Sequence, residues 1–372
     1  MKLFIEPNDI LMFRDGKPFS GDDDHFARGS FPPPPSTVYG ALRSHILSTA
    51  WPEFSTFADK NGVIPEHIKQ EIGTPAEKGA LTIKLFAIAK KNSKGIEQYF
   101  PMPRDIAKDK GKENGGVYIL KPDNKLQDTV MTDLPSGLQH LWHPTEDALE
   151  AAAGFLSSSE MWEYLIGNIP KSTDADKIFK TEERTGIGKS RTTRSVETGR
   201  LYSVEYFRLN GNCGFAVEVG NTKLLPESGM LRLGGDNRSA RYSTVSWNDI
   251  QGEPIKKKIL ETKRFKLILT THAIFTNGWM PGGIDDKTME GSINGIAVRL
   301  ISACIGKPIG IGGFDMAKGM PKPMKKAAPA GSVYYFELKD SNVDNLFGKL
   351  WLKSISDEKS QEGFGITLIG GF

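Results

Sequence analysis

RTGIGKSRTTRSVETGRLYSVEYFRL, residues 184 to 209, carries six basic side chains (Arg184, Lys189, Arg191, Arg194, Arg200 and Arg208) against two acids, Glu197 and Glu205. Its second half, Leu201 to Leu209, alternates in Ser, Val, Tyr and Phe as a strand does. The first half places Gly186, Gly188 and Gly199 where the backbone turns or approaches something closely. The stretch reads as a strand joined to a basic loop or long hairpin held out from a sheet, which suits nucleic-acid phosphates better than a small metabolite. Charge counts alone leave open a solvated surface hairpin whose arginines serve solubility. Gly188-Lys189-Ser190 imitates the end of a phosphate-binding P-loop, but Glu183 stands where the first glycine belongs and Arg-Thr-Thr-Arg replaces the apolar start of a helix.

The whole chain sets the limits around this stretch. Its 372 residues are long for one core, so two domains are expected, 1–250 and 251–372, with the boundary near the polar connector 246–263 that holds Lys256, Lys257 and Lys258. Forty glycines and 22 prolines argue against a helical bundle and for sheet-dominated α+β domains with long loops. A net charge of +3 is too small for a global field to attract a polyanion, so any such contact must come from local clusters. Cys213 and Cys304 lie in separate apolar runs and read as free thiols of a reducing compartment, the cytoplasm. Glu6 and Asp9 interrupt any signal-peptide core, and no run is long enough to span a bilayer.

Along the chain, Lys2 to Phe13 opens with short extended pieces, and the loop that follows contains Asp22, Asp23, Asp24 and His25. Those types suit a metal, but adjacent residues rarely converge on one ion, and no metal or cofactor is expected. Ser36 is the expected cap of a helix over Thr37 to Ala50, with Arg43 near its start as a phosphate ligand or an ordinary surface charge, and His45 on the apolar face. Leu81 to Ala89 alternates as a strand and Gln98 to Met102 pairs with it. Residues 103–116 are polar and glycine-rich and read as a mobile insertion without chemistry. A helix is expected from Thr145 to Phe155 and another over Ser159 to Ile166. Phe215 to Val219 partly resembles the RNA-binding strand of an RRM but lacks its basic first position. Gly234 and Gly235, beside Arg238, form a turn whose amides can approach a phosphate or simply make a tight corner. A second grip is the loop with Gly310, Gly312 and Gly313 as close-approach positions and Lys318, Lys322, Lys325 and Lys326 as cations. A short helix over Asp344 to Leu352 and a strand ending in Gly370, Gly371 and Phe372 complete the chain.

NDILMFRDGKPF (8–19), FPPPPSTVYGALRSHIL (31–47), ERTGIG (183–188) with GRLYSVEYFRL (199–209), LRLGGDNRSARY (231–242) and KPIGIGGFD (307–315) with PKPMKKAAPAGSVYYFEL (321–338) form one ensemble. Together with the glycine-rich last strand they resemble the RAMP-superfamily subunit of type III-B CRISPR effectors, the third subunit of the Cmr complex. The resemblance implies two ferredoxin-like, RRM-like domains and a subunit without nuclease activity that caps the 5' tag of the crRNA. It implies partners too: the large polymerase-like Cmr subunit, the first backbone subunit and, indirectly, target RNA. It places the loop 310–313, Gly370 and Gly371, and the hairpin 184–200 around the tag. Such a tag is single-stranded and can be held by cations, backbone amides and stacked bases, for which Tyr202, Tyr206, Phe314 and Tyr334 are candidates if they are not core residues. The alternative within the superfamily is a metal-independent endoribonuclease using His25 or His45 on repeat RNA.

Overall fold

The computed structural model describes residues 1–14, 26–59, 61–112, 115–123, 131–135, 137–190, 192–250, 252–315, 319–339 and 342–372, without the side chains of 197–200. The Asp22 to His25 cluster, Arg191, Lys318 and the side chain of Arg200 therefore lie outside the described residues.

In the first strand, β1 (Lys2–Pro7), Leu3 and Ile5 point to one face of the sheet and Phe4 to the other, and all three are buried. The chain then enters α1 (Pro35–Ala50), where Val38, Leu42 and Ile46 recur every fourth residue and are fully buried. The helix starts two residues earlier than the sequence suggests. Pro34 stands at the cap and Pro35 in the first turn, so Ser36 is not the cap. A short helix, α2 (Glu66–Ile72), packs on α1. The hairpin β2 (Thr82–Asn92) and β3 (Gly95–Pro101) follows.

Residues 103–116 overturn the expectation of a mobile insertion. β4 (Ile106–Asp109) is a paired strand, Ile106 and Ala107 are buried, and Asp105 has no exposed surface. The helix expected from Thr145 is absent: Leu149–Ala151 is extended and pairs with β4, and β5 (Phe155–Ser157) with β3. The second expected helix is α3 (Ser158–Ile166), capped by the Ser157 hydroxyl, which accepts from the Glu160 amide.

Two long strands, β6 (Phe179–Lys189) and β7 (Val196–Leu209), precede β8 (Cys213–Gly220), β9 (Ser228–Arg232) and β10 (Ser239–Thr244). The first sheet is antiparallel in the order β5-β3-β2-β8-β1-β10-β9. The lysine run at 256–258, expected in a flexible connector, is instead part of α4 (Glu253–Thr262), because Ile255 and Ile259, one turn apart, are buried. Lys256 is ion-paired with Glu253 at 2.7 Å and Asp344 at 2.9 Å.

The second sheet is built from β11 (Arg264–Leu269), β12 (Glu290–Ile293), β13 (Ile296–Cys304), β16 (Val333–Leu338) and β17 (Thr367–Gly371). The ribbon β14 (Ile309–Ile311) with β15 (Lys325–Ala327) interrupts it, and α5 (Val343–Leu350) precedes its last strand. Its order is β12-β13-β16-β11-β17, again antiparallel throughout. Within each sheet four strands share one arrangement, in which the first in sequence lies between the last and the third, and the second flanks the third.

One face of the first sheet, including Leu3, Ile5, Phe215 and Val217, packs on α1. The other, including Phe4, Leu85, Phe100 and Ala216, belongs to one apolar core with Phe265, Leu267, Phe336 and Leu368 of the second sheet. That core crosses the connector at 250. The first sheet is thus covered on both faces, which explains the near-continuous apolar run of β2.

Candidate nucleic-acid interface

The basic stretch is not half loop. β6 and β7 pair antiparallel from Phe179 opposite Leu209 to Ile187 opposite Leu201, with an irregularity before Lys189, and Thr192 and Thr193 lie in a turn between the strands. The base of this hairpin is anchored. Phe31, Phe179 and Phe207 cluster with centroids 4.2 to 5.9 Å apart, and Phe26–Ala27 adds a short parallel strand beside Ser203 and Val204. Val204 and Tyr206 are buried with Ile10 and Ala27. Beyond this anchor the ribbon exposes Ile187, Val196 and Leu201, with Leu201 at 58%.

Its cations divide into two groups. At the base, Arg208 donates to Glu182 and reaches Asp9 at 3.1 Å, and its hydrogen bonds hold the Glu182 carboxyl below its ordinary value. Arg238 is bound to Asp236 at 2.8 Å and lies 5.0 Å from the centre of the Tyr206 ring. Arg184 reaches Glu182 at 3.4 Å and the same ring at 5.6 Å. Toward the tip, Lys189 and Arg194 are exposed and have no acidic partner among the described residues. Arg194 has φ +56°, and its amide donates to the Ser190 carbonyl.

Other expected ligands are embedded in the fold. Arg43 donates through Nε to the Ile72 carbonyl at 2.7 Å and through Nη2 to the Thr74 carbonyl, tying α1 to the end of α2. Burial lowers its pKa from the ordinary guanidinium value. Arg43→Ala is expected to lower unfolding free energy by about 2–3 kcal/mol in urea titrations while leaving the salt dependence of RNA binding unchanged. A Cβ on Gly234 would lie 2.4 Å from the Met12 carbonyl, which accepts the Gly235 amide, so the double glycine seats a corner against the chain after β1. Gly370 and Gly371 are buried in β17. Side chains there would meet the stem of Lys266, the Leu165 carbonyl and the stem of Lys258. Gly310 lies on β14 against Met324, and Gly312 and Gly313 follow it. Lys325 is paired with Glu358 at 3.0 Å, whereas Lys322 and Lys326 are exposed beside the exposed Phe314, Met320 and Met324. Tyr334 is fully buried. Among the expected ligands, the exposed cations of the described residues therefore lie in the hairpin and beside β14 and β15.

Sequence reasoning missed two features. Asp105 accepts hydrogen bonds from Tyr164 at 2.6 Å and from Tyr335, and pairs with Lys266 at 3.3 Å, all among buried groups. Second, a groove is lined by Pro32, Pro35, Phe86, Tyr99, His272 and Ala330. His45 is half-buried, its Nε2 shielded and without a hydrogen-bond partner among the described residues, edge-on to Tyr242 at 5.4 Å, and burial lowers its pKa.

The model of one family, CRISPR-associated protein (Cas_Cmr3), matches residues 3–371. The chain belongs to the Cas_Cmr3 family. It is accordingly a subunit of the type III-B, Cmr kind of CRISPR effector. Two solved chains share its fold, both from cryo-EM structures of the type III-B Cmr-beta complex with cognate target RNA, one also with AMPPnP. Each is 16% identical with a TM-score of 0.51 and covers 94% of this chain; the alignments cover 89% and 88% of those chains. A comparison with curated proteins finds no match. Among the described residues of this Cas_Cmr3 chain, no helix is long and apolar enough to cross a membrane, and no group of three or more His, Cys, Asp or Glu is arranged to hold a metal.

Proposed function

We propose that this Cas_Cmr3 chain is a non-catalytic, cytoplasmic RNA-binding subunit that caps the crRNA 5' tag. In this reading it bridges the large polymerase-like subunit to the backbone filament and meets target RNA only indirectly. Its two lobes, 1–250 and 251–372, are ferredoxin-like, a reading supported by the strand arrangement that the two sheets share. The observation that carries the proposal is the hairpin. A two-stranded ribbon cannot bury its own faces, and this one leaves Lys189 and Arg194 without acidic partners among the described residues, beside exposed apolar side chains. That the solved chains of similar fold come from complexes bound to target RNA agrees with it.

Phosphate contacts release counterions, so affinity for a tag RNA should fall steeply with salt. Changing Lys189 and Arg194 together to Ala is expected to weaken binding several-fold and reduce the salt slope by about two. Lys91 and Lys94, exposed at the β2–β3 turn, supply a control of equal charge. Gel-shift titrations in which the control pair matters as much would remove the hairpin from the interface. The same incubations in EDTA with repeat RNA should leave the RNA intact; cleavage there would return the endoribonuclease reading.

A further inference from the structure

Before β17 the chain turns tightly over 359–365, and Lys359 opens the turn in the left-handed backbone region, at φ +57°. Its ammonium lies 5.5 Å from the ring centre of Phe364, which has no exposed surface. Ile311 of β14 and Ala327 of β15 belong with Phe364 to one small apolar cluster, so the ribbon is folded down on the turn. Two ion pairs frame Lys359: Lys325 of the ribbon binds Glu358 at 3.0 Å, and Lys78, beyond α2, binds Glu362 at 2.8 Å. The carboxylates nearest Lys359 are thus engaged by other lysines, and among the described residues none contacts its own ammonium. Lys322, whose amide donates to the Gly313 carbonyl at 2.9 Å, is exposed on the ribbon and also has no acidic partner among the described residues. Burial lowers the Lys359 pKa from its ordinary value; Glu362 and Glu358 oppose that shift, and the charges of Lys322 and Lys78 add to it. Four lysines from three segments therefore gather around two glutamates, a repulsion that the fold itself does not need and that a bound anion relieves.

We infer that Lys359 and Lys322 together hold one phosphate of the RNA, the first from the turn before β17 and the second from the ribbon. The inference deepens the RNA-binding reading and rests on it. An ammonium is a point charge with three donors, so the pair fixes the path of the strand without reading a base. The Phe364 ring beside the Lys359 ammonium restricts that side chain beforehand, which reduces the cost of ordering it when the phosphate arrives. Phe314, exposed on the same ribbon, favours a nucleotide over an acidic protein segment as the source of the charge.

The test uses the full-length chain and a short single-stranded tag RNA in gel-shift titrations. Lys359→Met keeps the length of the side chain and removes its charge. Expected are about fivefold weaker binding, a salt slope smaller by about one, and affinity within about twofold of wild type for Lys359→Arg. Single methylphosphonate substitutions, each removing one phosphate charge, should reveal one position that weakens wild type about fivefold and leaves Lys359→Met unchanged. Lys359→Met should melt at or above the wild-type temperature, because it removes a repelled, half-buried charge; a lowered melting point with binding weakened alike at every position would assign Lys359 to the fold and overturn the site. If the variant binds as wild type does and keeps the same methylphosphonate sensitivity, the site is overturned and the RNA-binding reading stands. Loss of a protein subunit from the purified effector complex, with tag binding unchanged, would turn the charge toward protein and overturn it too. If wild type binds no tag RNA at all, both readings fall.

Discussion

Asp105→Ala is expected to lower the unfolding free energy by about 3–5 kcal/mol, the usual cost of removing one partner of a buried ion pair. Asp105 and Lys266 are almost wholly buried, 0% and 2% exposed at the side chain. The carboxylate also accepts from the hydroxyls of Tyr164 and Tyr335, and the Lys266 ammonium lies 3.4 Å from the Tyr164 ring centre. These groups come from the segment before β4, from α3, and from β11 and β16, so the cluster fastens that segment and α3 to the second sheet. Alanine would leave a buried cation and the Tyr164 hydroxyl without their acceptor, while the Tyr335 hydroxyl keeps the Leu120 carbonyl at 2.9 Å. Lys266→Met should cost less, because the carboxylate keeps both tyrosine donors, and the double variant should recover part of the loss. Urea unfolding measures all three, and a loss under about 1 kcal/mol for Asp105→Ala would show that the cluster does not fasten these elements together.

Protons report on the same cluster. Burial pushes Lys266 down to about 8 despite the opposing pull of Asp105. Between that value and the ordinary 10.5 the unfolded chain binds more protons, so stability contributed by this group rises with pH above 8, and the penalty is complete below it. The tyrosines act oppositely from pH 10 upward, since burial raises their folded values. Lys266→Met should therefore flatten the rise between pH 8 and 10.

The second large effect belongs to His272. Its Nδ1 accepts the Ala330 amide at 2.9 Å, and burial pushes its pKa down to about 4. Below pH 6.5 the unfolded chain takes up a proton that the folded ring refuses until about pH 4, so stability falls as pH falls through that window. The difference corresponds to about 3 kcal/mol at the acid end. His272→Asn places an amide oxygen where it can accept from Ala330 and cannot be protonated. The expectation is a variant close to wild type at pH 7 whose acid-induced loss is smaller by that amount. An undiminished loss would assign acid sensitivity to other groups.

The sequence by itself determined the elements whose periodicity is local. The face of α1, the β2–β3 pair, β8, α3 and the last strand are legible because each buries one side of one segment, and that burial is written at spacings of two or about four residues. The ensemble of motifs also identified the family, since spacing along a whole chain survives where single motifs do not. Partnership across the fold was not legible. Asp105 sits in a polar, glycine-rich stretch, and nothing near it announces Tyr164, Lys266 or Tyr335, which arrive from 59, 161 and 230 residues away. Arg43 and Arg194 are both arginines beside small residues, yet one is engaged by two backbone carbonyls and the other is open to solvent. Gly186 and Gly370 look alike in sequence as well, but one lies beneath a half-exposed tyrosine and the other beneath a buried lysine. A side chain's type sets what it can bind, whereas its availability depends on which distant groups reach it first, and only the packed chain decides that.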